Sequence, residues 1–91
     1  MTVEVIRKKE GVEVATRLEE RGDFVCLGNK RMVGRDGRRE LVPVYAENPF
    51  EGEGGVIVFK HLWGNENQVI RPGRERKITL LGGEKATVRA S

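Results

Sequence analysis

The chain has 91 residues, and this length predicts a single domain over residues 1–91. Cys26 is its one cysteine and His61 its one histidine, which excludes an internal disulfide and argues against a zinc site. With 17 Lys and Arg against 14 Asp and Glu, the net charge of +3 permits contact with nucleic acid or an acidic protein surface without requiring it.

Short apolar runs bounded by Gly, Pro, Asn or Asp follow one another along the chain, a pattern typical of strands. The first run, TVEVIRK, places Val3 and Val5 on one face. The second, VEVATRL, has a strict period of two, which favours a strand: Val12, Val14, Thr16 and Leu18 share one face, and Glu13, Ala15 and Arg17 the other. A short helix over residues 12–21 is the alternative, because Glu13 and Arg17 have helical spacing and a glycine follows at a suitable position for a cap.

The middle of the chain predicts a buried strand, a hairpin and a loop. The continuous apolar run in DFVCLGN predicts a buried strand, with Cys26 as a small buried side chain. Asp36-Gly37 predicts a hairpin turn, since both residues tolerate the positive φ angles of a type I′ turn. Pro43 cannot donate to a strand ladder, so we expect an edge strand or a bulge there. The stretch ENPFEGEGG is predicted to form an acidic loop.

Further strand patterns fill the C-terminal part. VIVFKHL has the strongest pattern, QVIR predicts a short strand, and RPGR is typical of a type II turn. For the closing hairpin, a three-residue loop at 82–84 places Leu80 opposite Ala86 and Ile78 opposite Val88, and this register keeps one face apolar. The whole pattern predicts an all-β fold, a small β-sandwich or barrel of about eight to nine short antiparallel strands.

Catalytic motifs are absent from the sequence. It contains no G-x-S-x-G, phosphate-binding loop or H-E-x-x-H pattern. A thiolate–imidazole pair of Cys26 and His61 is conceivable in space, but a structural role for both residues is the more economical interpretation. We therefore predict a protein that is not an enzyme, with no catalytic residue, no metal and no cofactor.

A basic hairpin and an aromatic strand give a nucleic-acid-binding hypothesis. Clustered cations can neutralise several phosphates, and rings spaced two apart on a strand can stack on bases. The candidate cations are Arg31, Arg35, Arg38, Arg39, Arg74 and Arg76, and the candidate rings are Phe59, His61 and Trp63. The alternative interpretation is that the cations face water and the rings belong to the core.

Opposite charges on two loops give an assembly hypothesis. The basic hairpin, with Arg31, Arg35, Arg38 and Arg39, could meet the acidic loop of an identical subunit head to tail, an arrangement that forms rings or lattices. The acidic loop contributes Glu47, Phe50, Glu51 and Glu53. Phe50 either covers the core of its own domain or anchors the loop in a pocket of a neighbour.

The closing segment NQVIRPGRERKITLLGGEKATVRA runs as strand, Pro-Gly turn, strand, glycine hairpin and strand. In a small β-only chain with charged hairpins, it resembles the accessory virion proteins of tailed phages, of the capsid-decoration or head–tail joining type. The resemblance implies a structural subunit in a virion that binds identical subunits or a capsid protein, and it assigns no site residue. The alternative is a cytoplasmic β-barrel protein that binds nucleic acid.

The sequence also gives expectations about the location and the stability of the protein. No apolar run is long enough to cross a membrane, and MTVEVIRKKEG lacks the apolar region of a signal peptide, so we expect neither membrane insertion nor secretion by that route. Charged residues make up 34% of the chain and Gln occurs once, a composition that indicates a thermostable protein.

Overall fold

Two four-stranded antiparallel sheets make up the described part of the chain, in strand orders β2-β1-β8-β7 and β3-β4-β5-β6. The computed structural model describes residues 2–33, 36–50, 54–59 and 68–91, with Phe59 described by its backbone alone. The strands are β1 Val3–Lys9, β2 Val12–Leu18, β3 Phe24–Val33, β4 Arg39–Glu47, β5 Val56–Phe59, β6 Gln68–Ile70, β7 Glu75–Thr79 and β8 Lys85–Ala90. The predicted all-β class is confirmed. Among the described residues no ladder joins the two sheets, so the fold is a sandwich rather than a closed barrel.

The hydrophobic core lies between the two sheets and contains side chains from both. Alternate residues of each strand point inward, as the pleat of a strand requires. Val3 and Val5 are fully buried, in agreement with the face predicted for the first strand. The other buried members of the core cluster are Leu18, Leu27, Val44, Ala46, Val56, Val58, Ile70, Leu80, Ala86, Val88 and Ala90.

Residues 12–18 form a strand, so the predicted strand is confirmed and the helix alternative over 12–21 is wrong. A two-residue turn joins β1 to β2, because Lys9 pairs with Val12 and both turn residues, Glu10 and Gly11, have positive φ angles. Across the sheet, β1 also pairs with β8. The backbones of Thr2 and Ser91 exchange hydrogen bonds beyond this ladder.

The prediction of a fully buried strand over Phe24–Leu27 is wrong in part. Leu27 is buried, but Phe24 is 64% exposed and the Cys26 side chain is also exposed. The segment is a strand at the edge of the second sheet, where one face meets the core and the other does not. A β-bulge interrupts the register between Cys26 and Gly28, so Leu27 is the extra residue.

The hairpin predicted at Asp36-Gly37 is confirmed, although its loop is longer than a two-residue turn. Val33 pairs with Arg39, so the described ladder ends before a two-residue turn at Asp36-Gly37 could close it. The Asp36 carboxylate accepts a hydrogen bond from the backbone N–H of Arg38 at 3.0 Å, as in an Asx turn.

Pro43 lies in an interior strand, not in the edge strand that its lack of an N–H suggested. It pairs with Asn29 of β3, and the described ladder with β5 covers only Tyr45–Glu47. The bulge belongs to the partner strand β3 rather than to β4.

The closing hairpin has a different register from the predicted one. Ile78 lies opposite Ala86 rather than Val88, and Leu80 leaves the ladder. A 3₁₀ turn, Leu81–Gly83, lengthens the loop, and the N–H of Leu80 donates to the carbonyl of Glu84 at 2.7 Å. The shift is two residues, so one face still stays apolar.

The turn predicted in RPGR is confirmed. The N–H of Arg74 donates to the carbonyl of Arg71 at 3.0 Å, and Gly73 has the positive φ of 84° that a type II turn needs. In the described residues no helix is long and apolar enough to cross a bilayer.

Candidate docking face

The side of the second sheet that faces away from the core, here called the outer face, is largely apolar. Phe24 is 64% exposed, Val33 67% and Leu41 57%. In the strand pairing, Phe24 lies opposite Glu47, Val33 opposite Arg39 and Leu41 opposite Arg31. The apolar residues of the outer face are Phe24, Val33, Leu41, Pro43, Tyr45, Ile57 and Val69.

The corresponding side of the first sheet is charged. Arg89 of β8 lies 3.6 Å from the Glu4 carboxylate and 3.0 Å from that of Glu75, so an ion-pair row crosses three strands. The hydrogen bond that Arg89 donates to the Glu75 carboxylate, together with the charge of that carboxylate, raises the pKa of Arg89. This side is a solvated surface, whereas the outer face of the second sheet exposes apolar area.

An aromatic contact lies at one end of the outer face. Phe24 and Tyr45 meet edge to face, with ring centroids 6.1 Å apart and planes at 66°. Such pairs contribute about 0.5–1.5 kcal/mol beyond the burial of their area. Cys26 lies opposite Tyr45 in the register, so its thiol borders this aromatic pair.

The outer face is basic at one end and acidic at the other. Arg39 begins β4 and Glu47 ends it, and the two side chains lie about 27 Å apart at a rise of about 3.4 Å per residue. Arg31 lies opposite Leu41, so it adds a second cation at the basic end. None of these three charged side chains forms an ion pair with another described residue.

The predicted basic hairpin is exposed, but its cations do not act as one cluster. Arg31 and Arg39 point to the outer face, while Arg38 is held by Asp36, with 3.5 Å between its Nε and the carboxylate. Lys30 directly precedes Arg31 in β3, so its side chain points to the opposite side of the sheet, the side that faces the core. Arg35 lies outside the described residues.

The predicted acidic loop lies at the opposite end of β4 from the basic hairpin. Glu47 is half-buried, and Phe50 is 70% exposed. The ring of Phe50 rests against Gly22, where an added Cβ would lie 2.5 Å from its Cζ. Phe50 therefore contacts a neighbouring loop and does not belong to the core cluster. Glu51 and Glu53 lie outside the described residues.

Only part of the predicted nucleic-acid site lies within the described residues. Phe59 ends β5 opposite Tyr45, and His61 and Trp63 lie outside the described residues. Arg74 is exposed in the turn before β7, and Arg76 donates to the Gln68 side chain at 2.6 Å. A cleft of about 370 Å³ between β7 and the second sheet is lined by Lys30, Val44, Val58, Gln68, Arg76, Lys77, Ile78 and Thr79.

The chemistry around Cys26 is sparse. Its carbonyl accepts a hydrogen bond from the guanidinium of Arg7 at 3.2 Å, and its Sγ lies 3.8 Å from the carbonyl of Gly28. Across the described residues, no group of three or more His, Cys, Asp or Glu side chains is arranged to hold a metal ion. The described surroundings of the thiol thus contain no imidazole or carboxylate hydrogen-bonded to it.

We expect Cys26 to react with an alkylating reagent in the native protein, because its side chain is exposed on the outer face. Mass spectrometry after a short iodoacetamide treatment should show a single adduct without added denaturant. Cys26→Ser is the control and should show none. Labelling that requires unfolding would contradict the exposed position of the thiol.

Comparison with known proteins gives no match to a family model, to a curated protein or to a solved structure. The function is therefore inferred from the residues of this chain. Its central feature is the outer face, which sequence reasoning missed because a continuous apolar run on an edge strand has the same pattern as one buried on both faces.

Proposed function

We propose that the protein is a non-enzymatic interaction subunit that docks through its outer face within a larger assembly. The observation that carries this proposal is the contrast between the two sheets. One presents a charged, ion-paired surface, and the other leaves large apolar side chains such as Phe24 and Leu41 in water. Contiguous apolar patches on small proteins typically mark surfaces that bind other proteins.

The energetics of the outer face favour a protein partner. Burial of apolar area contributes about 25 cal/mol per Å², and a phenylalanine fully removed from water contributes about 1.5–3 kcal/mol. Phe24 stands beside Tyr45, and aromatic residues of this kind are common anchors of protein interfaces. Phe24 and Tyr45 are thus the best candidates for the energetic centre of the contact.

The assembly that we propose is a virion shell or connector, with identical subunits or a capsid protein as partners. What supports this setting is the resemblance of the closing segment to small accessory virion proteins of tailed phages. The alternation of strands and glycine turns from Gln68 to Ala90 agrees with that resemblance.

A second candidate function is nucleic-acid binding, and one observation favours it. Lys30, Arg76 and Lys77 line a common cleft between the sheets, although they come from separate parts of the chain. Three cations along one groove can follow a phosphate backbone. Against it, Arg31 and Arg39 point away from this cleft, to the outer face.

Light scattering at low and high salt, with and without a short single-stranded oligonucleotide, separates the two functions. With identical subunits as the partners, we expect a mass above that of the 10.2 kDa chain that does not change with oligonucleotide. Phe24→Ser should reduce this mass, because it removes the proposed anchor. Val12→Ser is the control, since Val12 is 61% exposed but belongs to β2 of the first sheet. A monomer that binds oligonucleotide with a steep salt dependence would refute the docking function.

A further inference from the structure

We propose that the partner of the outer face is a second copy of this chain, packed face to face with its strands antiparallel. This inference rests on the proposed function, because it names the partner of the same face. In this arrangement a two-fold axis crosses the strands near Pro43. Glu47 of each copy then lies over Arg39 of the other.

The placement of charge selects this arrangement. Arg31 and Arg39 lie at one end of the outer face and Glu47 at the other. A two-fold axis that runs across the strands reverses their direction, so the acidic end of one copy covers the basic end of the other. An axis along the strands would instead place basic end over basic end, and such like-charge contact is costly at an interface.

The apolar side chains match under the same symmetry. An axis across the strands keeps β3 over β3 and β4 over β4. Phe24 and Val33 occupy the two ends of β3, so each lies over the other in the partner copy. Tyr45 and Leu41 are related in the same way on β4, because they stand two residues on either side of Pro43. Dimerisation thus buries the exposed side chains at both ends of β3.

The size of the face predicts a reversible dimer. Strands about 4.8 Å apart, with a rise of about 3.4 Å per residue, give the outer face a footprint on the order of 500 Å² per copy. Specific interfaces begin at about 1,200 Å² in total, so this contact lies near the lower limit. We expect association in the micromolar-to-millimolar range and a dimer that responds to single charge changes.

Charge reversal with mixing tests the inference. Sedimentation equilibrium over about 1 μM to 1 mM should give a concentration-dependent dimer. Glu47→Arg and Arg39→Glu, each alone, should weaken dimerisation about tenfold, because both symmetric contacts then join like charges. An equimolar mixture of the two variants should restore the dimer, because every contact in the mixed pair again joins opposite charges.

The control is Glu13→Arg, which reverses an exposed charge on β2 of the first sheet and should leave dimerisation unchanged. Circular dichroism should show the same fold for all variants. Iodoacetamide labelling of Cys26 gives a second readout, since it should slow as the protein concentration rises through the dimerisation range. That slowing should be absent in either single charge variant.

The outcomes separate the inference from the function on which it rests. A chain that stays monomeric at about 1 mM, or a mixture of the two charge variants that fails to dimerise, overturns the second-copy inference. In either case docking to a different protein stands. Oligonucleotide binding by the monomer overturns the docking function itself.

Discussion

Replacement of Gly55 by alanine should lower the free energy of unfolding by about 3–5 kcal/mol, the largest loss that we expect from a single methyl group. Gly55 has a φ angle of +122°, and a Cβ added there would lie 1.9 Å from the carbonyl oxygen of Ile70. The obstructing atoms are backbone. Relief would require β5 to move away from β6, which would break the pairing of Val56 with Ile70.

Gly82→Ala is the matched control for this experiment. Gly82 also has a positive φ, +78°, but an added Cβ there would have no atom within 4 Å. Its replacement should cost about 1–2 kcal/mol, from backbone strain alone. Urea unfolding followed by circular dichroism measures both changes. An equal loss of unfolding free energy in Gly55→Ala and Gly82→Ala would contradict the close approach of Gly55 to β6.

Asn48→Ala should lower the free energy of unfolding by about 2 kcal/mol, because the substitution removes the side-chain amide that donates to the carbonyl of Leu18. Asn48 is 1% exposed, and its Nδ2 donates to the carbonyl of Leu18 at 3.2 Å. Its backbone N–H donates to the carbonyl of Asp23 at 2.8 Å, and its carbonyl accepts from Gly22 at 2.6 Å. The side chain therefore joins the end of β2 in one sheet to the end of β4 in the other.

Asn29→Ala serves as the control, since Asn29 is exposed on β3. Its substitution should change stability by no more than about 0.5 kcal/mol. Thermal unfolding by calorimetry compares the two variants at one pH. If Asn48→Ala is no more destabilising than Asn29→Ala, the amide does not hold the two sheets together.

Local features of the fold could be predicted from the sequence because their causes are local. Gly73 predicts a type II turn because glycine readily adopts the positive φ angle that this turn needs, and the structure has that angle there. The alternation in VEVATRL predicts β2. The register of the closing hairpin could not be predicted, since the 3₁₀ turn at Leu81–Gly83 shifts the pairing by two residues and keeps the same parity. Two such registers bury the same face, so hydrophobic pattern alone does not distinguish them.

The candidate site was harder to predict than the fold. The charges at its ends, Arg31, Arg39 and Glu47, were identified, because hairpin and loop positions expose charged residues. The apolar area between them was missed, because exposure of Phe24 depends on what covers the second sheet. A strand sequence does not contain that information, since a run such as FVCL fits a buried strand and an edge strand equally well.

Thr2 and Ser91 lie side by side, and this position determines where a tag or a fused domain leaves the fold. Because Thr2 and Ser91 exchange backbone hydrogen bonds, any tag, tether or fused domain leaves from the same corner of the first sheet. A short linker between the ends would close the chain into a circle, and a new opening at Glu10-Gly11 would give a circular permutant with every strand intact. Immobilisation through either end leaves the opposite sheet open to incoming molecules.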